Sequence, residues 1–149
     1  MADRRSSIDH LCKRGNEADV TFDVETFKDW LKDQTGIDGE LGPNPMPDMP
    51  DRFFLVTLLP GAGLALDDQF DRPSFQVAVR GDQFAEFTPN RDAQAIDRLL
   101  VKELDYPHTL WGTYVATCTR TGGGPSPLQS YDKGRRVTYT CTYWVLCDL

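Results

Sequence analysis

Asp67, Asp68 and Asp71 set three carboxylates within five positions, a grouping able to supply oxygen ligands to Mg²⁺ or Ca²⁺. The spacing lacks the alternating Asp/Asn ligands, the glycine and the distal glutamate of an EF-hand loop. Aspartates in such a stretch also bond nearby backbone amides, so turn formation is the favoured reading. A small metal-dependent hydrolase using Asp67, Asp68 and Asp71 stands as the enzymatic alternative. Gly122, Gly123 and Gly124 are followed by neither Lys-Ser nor Lys-Thr, and no helix is predicted to begin there; they read as a flexible hairpin tip rather than a phosphate cradle. The two histidines, His10 and His108, lie far apart in sequence and give little support to a triad or a two-histidine metal site. Cys12, Cys118, Cys141 and Cys147 show neither zinc-site spacing nor the density of a disulfide scaffold, and read as buried free thiols. Cys118 and Cys141 could face each other across a hairpin, but a reducing cytoplasm would leave that pair unjoined. The expectation is a protein that is not an enzyme, with no catalytic residue, metal or cofactor.

The elements around these residues are predicted from periodicity. Residues 53–59 form a nearly unbroken apolar run of strand-forming types, as expected of a strand covered on both faces. In a second strand, 75–80, Phe75, Val77 and Val79 share one face and Gln76 and Arg80 the other. These two strands, joined by a long loop over 60–73, are expected to lie side by side at the centre of one sheet. A helix fits 23–34, with Val24, Phe27 and Leu31 in one stripe, Thr21 or Asp23 as cap and Gly36 as stop. The four prolines of 41–50 exclude helix and central strand and predict an extended connector. A second helix is expected to start with Thr88 as cap and Pro89 at its first position. Its stripe is Ala93, Ile96, Leu99, Leu100 and Leu104, with Asp92, Asp97, Arg98, Lys102 and Glu103 mostly on the other side. Residues 110–121 and 137–146 read as strands of an antiparallel hairpin, with Tyr114, Ala116 and Cys118 sharing one face and Cys141, Tyr143, Val145 and Cys147 another. The hairpin's connection, 122–134, is long and basic where it rejoins the strand. The fold class is α+β: a small, mostly antiparallel sheet with two helices packed on one face and long inter-strand loops. One domain is expected over 23–149, preceded by a polar amino-terminal arm, 1–22, of low order.

Charge narrows the function classes. The net charge of −7 argues against a reader of nucleic acid held by phosphate contacts. Residues 23–51 hold eight acidic side chains against Lys28 and Lys32, whereas Arg120, Lys133, Arg135 and Arg136 near the other end face Asp132 and Asp148. Opposite charge at opposite ends suits a head-to-tail, self-associating ring, and equally suits ordinary solvated faces. No window approaches the roughly 20 apolar residues of a membrane span, and the first residues contain no apolar run of a signal peptide; a soluble protein made in the cytoplasm is expected.

Several stretches together resemble the tail terminator proteins of long-tailed bacteriophages, often called minor capsid or minor tail proteins. They are Phe53-Phe54-Leu55-Val56-Thr57-Leu58-Leu59-Pro60-Gly61-Ala62-Gly63, Asp71-Arg72-Pro73-Ser74-Phe75-Gln76-Val77-Ala78-Val79-Arg80-Gly81, the 93–104 helix, and a late strand pair with Gly124-Pro125 in its loop and Arg135-Arg136-Val137-Thr138-Tyr139-Thr140 beyond. The likeness covers roughly residues 52–149, and its most specific element is the Asp-x-Pro step into the strand from Phe75. It implies a virion protein assembled in the host cytoplasm as a ring, typically a hexamer, at the head-proximal end of the tail. Such a ring stops tube polymerisation, offers the head's connector or stopper a docking surface, and lets DNA pass through its channel without specific binding. Its implied partners are further copies of itself, the tail tube protein and the connector. A connector stopper or a tail tube subunit is the alternative within the same biology. Under this resemblance the loops 60–73 and 122–136 make the contacts, with Asp67, Asp68, Asp71, Arg72, Lys133, Arg135 and Arg136 supplying matched charge.

Overall fold

A computed structural model describes residues 22–61, 63–65, 69–85, 87–128, 132 and 134–148. The fold is α+β. In chain order its elements are α1 (Val24–Thr35), β1 (Asp38–Leu41), β2 (Phe53–Leu59), β3 (Leu64–Ala65), β4 (Phe70–Asp71), β5 (Ser74–Arg80), α2 (Phe87–Arg98) continued by a π-helical turn (Leu99–Glu103), β6 (Val115–Arg120), β7 (Ser126–Pro127) and β8 (Thr138–Asp148). The strands form one sheet in the order β1-β2-β5-β8-β4-β3, with β6 and β7 also paired to β8.

The central pair lies side by side as its sequence requires. β2 and β5 are antiparallel, with Phe54 opposite Val79, Val56 opposite Val77 and Leu58 opposite Phe75. β8 continues the ladder on the other side of β5, placing Tyr143 opposite Phe75 and Cys141 opposite Val77. Because alternate side chains point to one face, Phe54, Val56, Phe75, Val77, Val79, Cys141, Tyr143, Val145 and Cys147 form one continuous buried surface. Both helices cover it: Phe27 and Leu31 from α1, and Ala93, Ile96 and Leu100 from α2 and its π-helical turn, belong to the same core.

Local chemistry sets the ends of α1. The Asp23 carboxylate accepts from the backbone N–H groups of Glu25 (3.1 Å) and Thr26 (3.3 Å), satisfying donors that the first turn leaves unpaired. Gly36, at φ +70°, ends the helix in the left-handed region that glycine enters without penalty. Aromatic packing then fixes the helix to the sheet: the Phe27 ring lies 4.7 Å from Phe75 and 4.8 Å from Trp111, centroid to centroid. Phe22 stacks on Phe75 at 5.4 Å and is buried, so the folded domain begins at or before Phe22, inside the expected arm of 1–22; the rest of that arm lies outside the described residues.

Several expectations are corrected. β1 lies within the acidic segment 23–51, for which no strand is predicted; it pairs with β2 in parallel, and its Gly39 has no room for a side chain because the Phe54 ring occupies that space. β2 is covered on both faces only in its first half: Phe53, Phe54 and Val56 are buried, but Leu58 is 52% exposed. α2 begins at Phe87, so Thr88 and Pro89 lie within its first turn rather than at the cap and first position. In β6 the register slips between Val115 and Thr117, a bulge that breaks strict alternation. Val115 and Cys118 are buried while Tyr114 is exposed, so Tyr114, Ala116 and Cys118 do not share a face as alternation alone implied. Leu110–Tyr114 is a turn, closed by the His108–Val115 bridge, rather than the start of the strand. Cys118 stands opposite Val145 and not Cys141; Cys118, Cys141 and Cys147 are buried and unbonded to one another. The long loops hold short strands: β3 and β4 form a small ladder within 60–73, and β7 returns to β8 from within 122–136.

Candidate interaction surface

On the sheet's second face the proline-rich connector packs at Thr57 and around Arg80. Residues 42–52 must return from the end of β1 to the start of a parallel β2, and prolines rule out the usual crossover helix. Gly42 opens this strap, bonded through its N–H to the Val56 carbonyl (2.8 Å) and pressed against Thr57, which points away from the helices. A proline-rich segment has carbonyls but few N–H groups, so donors must come from elsewhere. Two arginines supply them.

Arg80, at the end of β5 on the face opposite the helices, donates from Nε to the Asp51 carbonyl (2.8 Å) and from Nη2 to the carbonyls of Pro47 (2.7 Å) and Pro50 (2.8 Å). Arg136 donates from Nη1 to the Asp48 carbonyl (2.6 Å) and to Asp51 Oδ1 (3.0 Å), from Nη2 to Asp48 Oδ1 (3.2 Å), and from Nε to Asp132 Oδ2 (2.9 Å). Both guanidiniums are buried, where charge-assisted bonds are strong and an unpaired charge would be costly. Burial lowers the Arg80 pKa, and the neighbouring Arg136 charge lowers it further. Burial also opposes the charge on Arg136, but its acidic partners, beginning with Asp51 and Asp132, raise its pKa on balance. Burial alone would raise the Asp132 pKa; the backbone N–H and guanidinium of Arg136, with the Gly134 N–H, hold it below the usual carboxylate range. The strap's far end is fastened to α2 by a two-pronged Arg52–Asp92 pair (2.7 and 2.8 Å).

The expected site residues divide accordingly. Asp67, Asp68 and Lys133 lie outside the described residues. Asp71 sits in β4 opposite Cys147, and its carboxylate accepts from the Arg72 N–H (2.8 Å), a turn-forming role; Arg72 Nε donates to the Gly63 carbonyl (3.1 Å). Arg135 is exposed. Arg136, expected as a surface charge, is instead a buried clamp, because the strap's carbonyls and three aspartates surround its guanidinium. Arg135 and Asp71 therefore lie at opposite ends of β8, whose ten residue steps span about 33 Å.

A further polar cluster lies beneath α2. Asp97 is buried, not on the outer side as expected; its carboxylate accepts from Arg120 Nε (2.9 Å), Arg120 Nη2 (2.6 Å) and the Tyr143 hydroxyl (3.0 Å). The signal was present, since Asp97 stands four residues after Ala93 and three before Leu100, on the buried stripe itself. Nearby, burial pushes the thiols of Cys118 and Cys147 up to about 12, leaving them protonated and unreactive at neutral pH.

Among the described residues, the most exposed aromatic groups also lie at the strap end. Phe84 and Phe87 are 72% and 73% exposed, and Met49 on the strap is 71% exposed. Phe84 and Arg135 both have left-handed backbone, φ +62° and +60°, and are bonded to each other, the Phe84 N–H donating to the Arg135 carbonyl (3.0 Å). For side chains other than glycine that conformation costs roughly 1–2 kcal/mol each.

No family model and no curated protein matches the sequence. Among solved structures, one whose name carries no functional description is 19% identical, with 81% of this chain and 88% of its own covered at a TM-score of 0.48; a likeness that distant carries no argument.

Proposed function

We propose that this chain is a structural virion protein of the tail-terminator kind, a ring subunit that caps the tail tube at its head-proximal end, stops tube polymerisation and provides the surface for head joining. The observation that carries the reading is the placement of its two long charged loops. Loop 60–73 meets the last residues of β8, and loop 122–136 ends beside the first, so one strand about 33 Å long holds them apart. A ring held between two partners requires opposed contact surfaces on a stiff subunit, and repeating each loop around a circle multiplies modest contacts into firm binding. The resemblance described above supplies the biological setting, including the tube protein and the connector or stopper as partners and a channel that passes DNA. The acidic net charge suits a lumen that does not retain phosphate.

Arg135 is the residue to test, because Arg136 is engaged internally. Arg135→Glu is expected to leave the fold intact and to reduce the fraction of tails joined to heads. Normal tail length and normal joining in particles carrying Arg135→Glu, with the protein incorporated as usual, would remove Arg135 from the contact. Immunolabelling of intact particles then separates this reading from a tube subunit: one ring at the head-proximal end is expected, not many along the tube.

A further inference from the structure

Two buried donors, His108 Nε2 and Trp111 Nε1, have no acceptor among the described residues. They belong to one aromatic cluster, in which the His108 ring lies 4.5 Å from Trp111 and 4.8 Å from Tyr106, centroid to centroid. The other imidazole nitrogen is engaged. His108 Nδ1 accepts from the Leu110 N–H (3.2 Å), inside a turn closed by the paired backbone bonds of His108 and Val115 (2.8 and 3.1 Å) and by the Gly112 N–H on the Thr109 carbonyl (3.2 Å). Because Nδ1 accepts, the neutral ring carries its proton on Nε2. We propose that this turn, 108–115, is an acid-sensitive latch, closed while His108 is neutral and opened when the imidazole takes a second proton. The Tyr114 carbonyl, which accepts from the Asp148 N–H (3.1 Å) at the end of β8, moves with it.

A protonated imidazole has a donor at each nitrogen and an acceptor at neither. In the closed turn Nδ1–H would face the Leu110 N–H, donor against donor, while Nε2–H stayed sealed from water without an acceptor and now carried charge. The charged ring is therefore favoured out of its seat, and the turn that hangs on it goes with it. The groups on the surrounding elements do not offset this. Tyr106 donates its hydroxyl to the Leu100 carbonyl (2.6 Å), and burial pushes its pKa up. On β6 and β8, burial holds the thiols of Cys118 and Cys147 up at about 12. α1 reaches the turn through Thr26, beside Gly112; there Asp23 is bonded to the Thr26 hydroxyl (2.8 Å) and to first-turn N–H groups, and Glu25 is exposed. Lys102, Glu103 and Asp105, on the segment leading to His108, are exposed, as is Tyr114. Burial, with no charge contributing, lowers the His108 pKa from its ordinary 6.5. The open turn thus takes up the proton more readily than the closed one, so closure is fully favoured above pH 6.5 and is lost as pH falls below it towards the folded value.

The test is NMR of the full chain between pH 7.5 and pH 5. It follows the imidazole nitrogen shifts of His108, identified by their loss in His108→Asn, and the solvent exchange of amide protons, corrected for the intrinsic effect of pH. At pH 7.5 the shifts should show the Nε2–H form. His108 should titrate below 6.5, and by pH 5 the protection of the Leu110 and Gly112 amides should fall about fivefold, the usual weight of one hydrogen bond, while the amides of β5 and of 138–146 keep theirs. His108→Asn places an amide oxygen where Nδ1 stands and takes up no proton, so its Leu110 protection should be the same at both pH values. If that variant does not fold, the wild-type titration and exchange decide alone. A neutral ring protonated on Nδ1, a His108 that titrates at or above 6.5, unchanged wild-type protection at pH 5, or an equal fall in His108→Asn would overturn the inference. A fall shared by β5 and 138–146 would show general loosening in acid, which also overturns it. Each outcome is read on the purified chain and stands apart from the virion reading.

Discussion

The two faces of the sheet are held by different physics. Under the helices, apolar side chains at regular spacing fill a close-packed core around Phe27, Phe54, Phe75 and Tyr143. On the other face, a proline-rich strap with few donors of its own is held by two buried guanidiniums from distant parts of the chain, Arg80 and Arg136. The first face is stabilised chiefly by area removed from water, with the Asp97–Arg120–Tyr143 bonds set into it beneath α2. The second depends on individual bonds, so losing one group should release a segment without dissolving the core. This makes the strap end, with its exposed Phe84, Phe87 and Arg135, the part of the molecule whose shape is most easily altered without unfolding the rest.

The comparison is broken most forcefully from the helix side. Phe75→Ala removes a fully buried ring that touches Phe22, Phe27 and Tyr143, and should cost about 4 kcal/mol in denaturant unfolding. Asp97→Ala comes next, at about 3 kcal/mol, because it leaves the buried Tyr143 hydroxyl and the Arg120 guanidinium without their acceptor. Arg136→Ala should cost about 2 kcal/mol, and hydrogen exchange should quicken in the strap and the 82–85 turn while β5 and β8 stay protected. If β5 and β8 lost protection equally, the strap would be part of the core and the contrast between the faces would be wrong. Arg136→Lys should restore little, since a point charge cannot reach carbonyls and carboxylates on several sides.

Acid provides the smallest and most selective perturbation. The Asp132 pKa is depressed in the folded protein below its ordinary 3.8, so its contribution is complete above that value and is lost as pH falls through the folded pKa. Between pH 4 and lower values, wild type should therefore lose stability more steeply than Asp132→Asn. Equal slopes would show that the turn at 132–136 does not hold the Arg136 clamp. The thiols sharpen the same contrast from the core side: Cys118, Cys141 and Cys147 should resist alkylation at pH 7.5 in native protein and react fully once it is unfolded.

What was legible in the sequence follows the same division. The β2–β5 pairing, both helices, and the buried face of β8 could be read because their apolar residues recur at the spacing of the element. β1 was not, since only four residues long and containing Asp38, Gly39 and Glu40 it has no apolar pattern; it exists because β2 offers an open edge and Phe54 covers Gly39. The bulge in β6 defeated strict alternation. Arg136 read as a surface charge because its partners Asp48 and Asp51 lie more than eighty residues away, and no local rule connects them. Asp97 differs again: its charge favours the solvent side, but its position on the buried stripe, with Arg120 and Tyr143 as partners, holds it inside. Of the expected contact residues, Arg135 keeps the exposed position that a contact needs, Asp71 turns its carboxylate to its own loop, and Arg136 faces inward.

The central claim, that this chain caps the tail, is tested most directly by electron microscopy of tails assembled with and without it. The account predicts that omission gives tubes of uncontrolled length that fail to join heads, and that adding the purified protein restores both length and joining. Tails of normal length, joined to heads in its absence, would contradict it.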